Sequence, residues 1–248
     1  MGQTKVEMLS GGWFTSAAGI WRRDDDMDRH VRFPIPAYLI ETDEERILVD
    51  TGLHPGAVAD KAQHYGDPDA LPIAELEQEQ SVAEQVDLDT LTRVVITHLH
   101  FDHAGGLDLL PASVPVFIQR REWEGGRDEA AIKRNFFLPR DYAGIEDQIE
   151  LVDGDHDLLG DGSILLLSTP GHTPGHQSVR VGDVVIGADV THFATTLDDG
   201  RLPVFGDDLE AQARSAERLR GLRDSGLTVL PGHDPEVLTP GPVLVGAR

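Results

Sequence analysis

The chain has 248 residues, of which 40% are hydrophobic, and this predicts a single large domain over 1–248 with a substantial apolar core. Acidic side chains outnumber basic ones by 44 to 21, and the net charge of −23 disfavours nucleic acid and anionic membranes as partners. Because the chain has no cysteine, disulfides, a thiol nucleophile and thiolate metal ligands are excluded.

The first 90 residues are predicted to hold three strands, a long loop and a capped helix. A strand over 5–9 ends at two glycines, and residues 14–33 form the loop. A hairpin follows, with strands over 34–41 and 46–50. Residues 57–80 are predicted to be an insertion or lid.

The helix over 82–86 begins with a capping box of Ser81 and Glu84. The N-terminus has no basic region followed by a long apolar run, so neither a signal peptide nor a membrane span is predicted and a cytoplasmic location is expected.

The rest of the chain alternates between strands and helices. Strands are predicted at 93–97, 114–119, 149–152, 163–168, 177–181, 184–186 and 227–230. Helices are predicted near Leu107, from 120–124, over 130–142 with a break at Pro139, and from Asp207 or Asp208 to about Arg223. The last helix has an apolar face at spacings of three and four. These elements predict an α/β fold with two layers of mostly antiparallel or mixed strands and helices outside.

Three histidines and an aspartate fall within six positions after the strand at 93–97: His98, His100, Asp102 and His103. α/β proteins place their chemistry on loops at the carboxyl ends of strands. His98 and His100 can face one way, while Asp102 and His103 face a second direction as the chain turns. Burying so many polar groups is costly without a metal, and this arrangement suits two metal ions better than one.

Three distant residues follow the same pattern, because His172, Asp189 and His233 each come shortly after a predicted strand. A Pro-Gly pair precedes both histidines. All seven candidates offer imidazole or carboxylate, a donor set that suits zinc and also manganese, iron or cobalt. The sequence therefore predicts two divalent metal ions bound by these seven residues.

The motifs HLHFDHAGG (98–106), TPGHTPGHQ (169–177) and PGHD (231–234), with Asp189, resemble the metallo-β-lactamase superfamily. The resemblance implies an αββα sandwich with the metal site at the sandwich edge. It implies a first metal bound by His98, His100 and His172, and a second bound by Asp102, His103 and His233. Asp189 would bridge the two metals, and Asp50 would orient a histidine ligand by a hydrogen bond.

Within the superfamily the chain most resembles the N-acyl homoserine lactonases, through AYLIETDEERILVDTG (37–52) and LPVFGDD (202–208) as well. This implies a hydrolase that opens a small-molecule lactone by attack of a metal-bound hydroxide, with Asp102 able to shuttle a proton. In that family a tyrosine stands three residues after the bridging aspartate, and here the position is His192. Its imidazole is expected to donate a hydrogen bond to the carbonyl or the leaving alkoxide; the alternative is that it faces solvent.

The remaining aromatic and histidine residues are not among the predicted ligands. Four aromatic residues are candidates for an acyl-chain pocket or, alternatively, simple core residues: Trp21, Phe101, Phe136 and Phe137. His30, His64 and His156 are expected at the surface. His176 is expected behind the metal ligands or in a structural role, rather than as a ligand. For His54 two alternatives are open: it lines the entrance of the site, or it has no role there.

Several alternatives stay open at this stage. The substrate could be another lactone, an ester or a thioester, and the protein could be a metal-bearing binding module without turnover. A zinc β-lactamase is disfavoured because several of those enzymes use a cysteine ligand, and a diiron oxidoreductase because His100 stands where a glutamate is usual. A monomer or a homodimer is expected.

Overall fold

The computed structural model of the protein describes residues 4–67, 69, 71 and 75–246. Its strands are β1 (Lys5–Ala17), β2 (His30–Glu41), β3 (Arg46–Val49), β4 (Glu75–Glu77), β5 (Arg93–Val95), β6 (Val116–Gln119), β7 (Ile149–Val152), β8 (His156–Asp157), β9 (Ile164–Ser168), β10 (Gln177–Val181), β11 (Val184–Ile186), β12 (Thr228–Leu230) and β13 (Gly241–Val243). Its α-helices are α1 (Ala18–Trp21), α2 (Pro55–Ala59), α3 (Lys61–Tyr65), α4 (Val82–Gln85), α5 (Phe101–Ala104), α6 (Arg120–Gly125), α7 (Glu129–Asn135), α8 (Thr196–Asp199) and α9 (Leu209–Asp224).

The described strands form two mixed sheets. The first sheet has the order β13-β1-β2-β3-β5-β6-β7, with β4 paired to β1 as well, and β3, β5, β6 and β7 run parallel. The second has the order β12-β11-β10-β9-β8, with one parallel pair between β11 and β12. The prediction of mostly antiparallel or mixed strands in two layers is confirmed.

A continuous apolar core lies between the two sheets. The first sheet supplies Met8, Tyr38, Ile40, Ile47, Val49 and Val95, and the second supplies Ile164, Leu166, Val179, Val181 and Ile186. Each fully buried aliphatic side chain contributes about 1.5–3 kcal/mol relative to exposure, so this layer is a major source of stability.

Helices cover the outer face of each sheet. Leu39 and Leu48 of the first sheet belong to one cluster with Val82 of α4 and Trp123 of α6. Leu167 and Val185 of the second sheet cluster in the same way with Ala216 and Leu219 of α9. The layers therefore follow the order helix, sheet, sheet, helix, and the predicted αββα sandwich is confirmed.

Strand register sets where the candidate site forms. Val49 of β3 lies opposite Val95 of the parallel strand β5, so both strands end at the same level. Ile186 of β11 lies opposite Leu230 of β12 in the same way, and β9 runs in their direction because β10 is antiparallel to both β9 and β11. The carboxyl ends of these five strands carry all seven predicted ligands and Asp50.

Two local predictions hold in detail. Ser81 and Glu84 form the capping box of α4, and the side chain of Asp208 accepts a hydrogen bond from the Ala211 N–H at the start of α9. Both are short-range contacts between a cap and the first turn of its helix, so they need no tertiary partner.

The predictions for the N-terminal region are wrong in one respect. Strand β1 does not end at residue 9 but continues to Ala17, because a register shift between Ser10 and Gly12 accommodates the glycines within the strand. Gly12 has a φ of 122°, which an L side chain rarely adopts. Residues 14–33 are consequently not one loop: they complete β1, form α1 and begin β2.

Other boundaries differ as well. The predicted strand at 93–97 ends at Val95, and the helix over 130–142 ends at Asn135 because Phe136 adopts left-handed backbone with a φ of 57°. A 3₁₀ turn stands at Leu107–Leu109, as a short helix was expected there. The segment 57–80 contains parts of α2, all of α3 and β4, while its residues 68, 70 and 72–74 lie outside the described residues.

Among the described helices, none combines the length and the apolar composition that a bilayer crossing requires.

Candidate metal centre

All seven predicted ligands meet in one buried place. His98 and His100 follow β5, and Asp102 and His103 lie on α5 rather than on a loop, contrary to the sequence prediction. His172 follows β9, Asp189 follows β11 and His233 follows β12. His100 is 9% exposed and each of the other six is exposed by 2% or less.

The first group consists of three histidine nitrogens that face one another. His100 Nδ1 lies 3.0 Å from His98 Nε2 and 2.9 Å from His172 Nε2. His100 Nε2 donates to the carbonyl oxygen of Asn135 at 2.8 Å, so in the neutral ring Nδ1 carries a lone pair. Burial lowers the pKa of all three histidines, which favours the neutral imidazoles that ligate metals.

In the first group, the outer hydrogen bonds of His98 and His100 leave lone pairs on the two nitrogens with which these rings face each other. The Thr97 hydroxyl, which donates to Asp50 Oδ2 at 2.8 Å, lies 3.1 Å from His98 Nδ1 and is free to accept from it. With that proton on Nδ1, His98 Nε2 is bare as well. Two bare nitrogens 3.0 Å apart repel each other unless a cation lies between them, which is the arrangement of a metal site.

The second group combines Asp102, His103 and His233. His233 Nε2 lies 3.3 Å from Asp102 Oδ2, and His103 Nε2 lies 3.7 Å from the same oxygen. Burial alone would lower the pKa of His103 and His233, but Asp189 and Asp102 outweigh it and raise both. A cation bound here would displace those protons, because ligation uses the neutral imidazole.

Asp189 stands between the two groups. Its Oδ2 lies 3.4 Å from His172 Nε2, and its Oδ1 lies 3.2 Å from His233 Nε2 and 3.5 Å from His103 Nε2. Gly232 makes room for this carboxylate, since a Cβ there would lie 2.2 Å from Asp189 Oδ1. Each group of ligand atoms is compact enough to hold a metal ion.

Several ligand atoms of the site are buried without a hydrogen-bond partner, as is expected of atoms that bind a metal ion. Asp102 Oδ2, His103 Nε2 and Asp189 Oδ1 are buried and have none in the described chain. Such atoms are rare in native proteins because each loses its hydration without compensation. Their convergence with the bare nitrogens of the first group fits a pair of cations ligated by nitrogen and oxygen.

Asp50 lies behind the site and contacts His103. Its Oδ2 is 2.7 Å from His103 Nδ1, and its Oδ1 accepts from the Thr97 N–H at 2.8 Å. Asp50 has a φ of 62°, a left-handed conformation that aspartate tolerates better than most residues. In this contact His103 Nε2 faces the centre, and Asp50 occupies the place that the family resemblance implies for an orienting carboxylate.

His192 is buried in the site, so the alternative that it faces solvent is wrong. It is 1% exposed, and its Nε2 lies 3.2 Å from Asp189 Oδ2. Its ring stacks on His233 with centroids 5.6 Å apart. His192, Asp189 and His233 also form a group that could itself hold a metal ion.

The four aromatic candidates lie at different depths. Trp21 and Phe101 are buried with Phe14, and Trp21 lies 5.4 Å from His192 between ring centroids. Phe137 is buried 5.6 Å from His100, whereas Phe136 is 64% exposed.

Phe205 was missed as a site residue, although it lies in the LPVFGDD segment. Its ring centroid is 5.7 Å from that of His172 and 5.3 Å from that of Trp21. Nothing in its local sequence separates it from an ordinary core residue.

Two histidines near the centre have other partners. His176 Nε2 accepts from the Asp189 N–H at 3.1 Å and its Nδ1 lies 3.0 Å from Thr169 Oγ1, so it braces the Asp189 turn, in agreement with the predicted structural role. His54 caps α2 by accepting from the Gly56 N–H at 2.8 Å.

The outcome for the expected surface histidines is mixed. His30 is exposed and His156 is half-buried. His64 does not fit the expectation: only 6% of its side chain is exposed, because it stacks on His54 and faces Asp141.

Comparisons with known proteins agree with this geometry. The family model described as the metallo-beta-lactamase superfamily matches residues 30–233. The N-acyl homoserine lactonase AiiA of Bacillus thuringiensis subsp. kurstaki is 32% identical over 219 residues, which cover 83% of each chain. The N-acyl homoserine lactonase AttM of Azorhizobium caulinodans is 28% identical, with 82% of each chain covered.

A solved structure of an N-acyl homoserine lactone hydrolase, with the product N-hexanoyl-L-homoserine bound at its catalytic metal center, superimposes with a TM-score of 0.82. It is 25% identical, and 95% of each chain is covered. With the αββα layers, the strand-end ligands and the family match over most of its length, the chain belongs to the metallo-beta-lactamase superfamily.

Proposed function

We propose that the protein is a dinuclear metal-dependent hydrolase that opens the lactone ring of N-acyl homoserine lactones. The observation that carries the proposal is the pair of buried ligand groups that share Asp189. The likeness to two N-acyl homoserine lactonases over more than four fifths of the chain supports the substrate class.

The proposed ligands divide as the two groups do. His98, His100 and His172 would hold one ion, and Asp102, His103 and His233 would hold the other. Asp189 lies between the two groups and would serve both. Zinc is the proposed metal, with iron, manganese or cobalt compatible with the same nitrogen and oxygen donors. When bound, such a pair of ions polarises an ester carbonyl and activates water at neutral pH.

The chain's own residues supply positioning around the ions. Asp50 orients His103, and His192 donates a hydrogen bond from its imidazole to the substrate carbonyl or to the leaving oxygen. Asp102 combines ligation with transfer of a proton. Three aromatic residues are proposed to line the acyl-chain pocket: Trp21, Phe101 and Phe137. Phe136 lies farther toward the surface, in contact with Phe205. Phe205 itself lies beside His172.

A substrate panel tests the proposed function. Purified protein supplied with zinc, manganese, iron or cobalt is assayed against homoserine lactones of several acyl lengths, simple lactones, thioesters and β-lactams. We expect the highest kcat/KM with an N-acyl homoserine lactone. A higher value with another lactone or a thioester would reassign the substrate, and no turnover with any of them would favour a binding module.

Hydrolysis in oxygen-18 water tests whether water attacks the ester directly. The chain has no cysteine and no Gly-x-Ser-x-Gly elbow, so we expect the label in the product carboxylate within a single turnover. Label that enters only in a second turnover would indicate a covalent intermediate and contradict the proposal.

A cytoplasmic location, a monomeric or homodimeric state and a single domain over 1–248 stay predictions from the sequence.

A further inference from the structure

A fully buried carboxylate lies behind the first histidine group. Glu122 of α6 is 0% exposed, and its Oε1 accepts a hydrogen bond from the backbone N–H of Leu99 at 2.9 Å. Its Oε2 accepts from the Thr173 hydroxyl and from the backbone N–H of Gly175, both at 2.8 Å. All three partners are donors, so the arrangement suits the ionised carboxylate.

These three donors belong to the two loops that carry the first group. Leu99 separates His98 from His100, and Thr173 directly follows His172. At their base the loops also meet through the Gln177 N–H and the Thr97 carbonyl oxygen, 3.0 Å apart. Nearer the histidines, Glu122 accepts hydrogen bonds from both loops.

The surrounding backbone is shaped to admit this side chain. A Cβ at Gly175 would lie 2.2 Å from the Glu122 nitrogen, so the His172 loop reaches α6 this closely only with glycine there. Burial raises the pKa of Glu122 to about 7, and the three hydrogen bonds oppose that rise. The side chain is therefore buried at a desolvation cost, and its three hydrogen bonds join it to fixed points on both loops.

We propose that Glu122 is a positioning residue for metal binding, holding His98 and His100 at the correct distance from His172. The inference rests on the proposed function, because it takes the first histidine group to bind a metal ion. Hydrogen-bonding residues behind metal ligands typically contribute about 10–100-fold to metal affinity, which sets the expected effect.

Glu122→Gln with Glu124→Gln as control tests the proposal. Glu124 lies on the same helix but is exposed, so the control makes the same chemical change without touching the loops. The amide of Glu122→Gln cannot accept from both loops, since one of its two polar atoms is a donor. We measure cobalt(II) affinity and the visible absorption spectrum of the bound cobalt, neither of which requires a substrate.

We expect wild type and Glu124→Gln to bind two cobalt ions with the same spectrum. Glu122→Gln should bind one of the two about 10–100-fold more weakly, with an altered absorption band. Wild-type affinity and spectrum in Glu122→Gln, even with a lower melting temperature, would overturn the proposal and leave Glu122 a stabilising residue only.

A second pair of variants covers the case in which Glu122→Gln does not fold. Thr173→Val removes one of the three donors and should weaken cobalt binding by a smaller factor, while Thr173→Ser should restore it. Equal cobalt affinity in both Thr173 variants and wild type would also overturn the proposal. Wild-type protein that binds two cobalt ions but opens no lactone would refute the proposed function and leave this inference standing.

Discussion

Two groups of histidines and acids can be compared in this protein: the buried candidate metal centre and the partly buried His54 cluster. The His54 cluster consists of His54, His64, Tyr65, Asp108 and Asp141. His54 Nε2 lies 3.3 Å from Asp108 Oδ1, and His64 Nε2 lies 3.6 Å from Asp141 Oδ1. The Tyr65 hydroxyl donates to Asp141 Oδ2 at 3.3 Å, and the two imidazole rings stack.

The difference lies in how the ligand atoms are directed. In the His54 cluster each imidazole faces its own carboxylate, and none of its members appears in a three-ligand group among the residues that the structure describes. In the metal centre, atoms from four strand ends converge on shared points. Buried polar atoms without a hydrogen-bond partner occur in the His54 cluster too, at His64 Nε2 and Asp141 Oδ1. The feature that distinguishes the candidate metal centre is therefore the convergence of several ligand atoms on shared points.

The largest expected effect comes from removing a ligand of the first group. His100→Ala should lose at least one of two metal ions and nearly all hydrolytic activity, because His100 Nδ1 faces both His98 and His172. Elemental analysis and a lactone assay measure this, with His54→Ala as the control that keeps both metals. A fully active wild-type preparation with one metal or none would contradict the dinuclear site.

Asp50→Asn probes the orienting contact of the second group. Asparagine tolerates the left-handed backbone at this position, so the change isolates the loss of the carboxylate. One amide atom can no longer accept from its partner, and we expect about 10–100-fold weaker binding of one metal. Competition with a chelator measures the affinity; unchanged affinity would show that His103 needs no such partner.

Variants of His192 test whether this residue binds a metal ion or contacts the substrate. His192→Ala should lower kcat about tenfold or more with two metals retained, and His192→Tyr should keep substantial activity on N-acyl homoserine lactones. Loss of a metal from His192→Ala would instead make His192 a ligand beside Asp189 and His233. Unchanged kcat and KM would make it a bystander.

The smallest expected effect belongs to the His54 cluster. Burial raises the pKa of Asp141 to about 6, although His64 and Tyr65 lower it in part. The folded protein then holds this proton more tightly than the unfolded chain, so the stability linked to Asp141 is greatest below about pH 4 and falls as pH rises to about 6.

Asp141→Asn cannot titrate, so the free energy of unfolding of wild type relative to this variant should decrease over that pH range and stay level above it. Urea unfolding of the metal-free proteins at several pH values measures the difference. A difference in unfolding free energy that is independent of pH would contradict the raised pKa of Asp141. Loss of metal from Asp141→Asn near neutral pH would show that the His54 cluster contributes to metal binding, as the candidate metal centre does.

Much of the candidate metal centre was predictable because its signals are local. A strand followed by histidine and aspartate places those side chains at a sheet edge, whatever the rest of the fold does. The capping box of Ser81 and Glu84 and the start of α9 at Asp208 were predictable for the same reason, since each cap contacts only the next turn.

Tertiary structure decided the features that depend on distant partners. Strand β1 continues past Gly12 because β2 and β4 pair with its second half. The sequence of residues 10–17 does not by itself indicate that these strands will pair with it. Glu122 resembles any helical glutamate until Leu99 and Gly175 approach it from two other loops. The burial of His64 and His192 follows likewise from packing across the chain, because a side chain's exposure is set by its neighbours in space rather than in sequence.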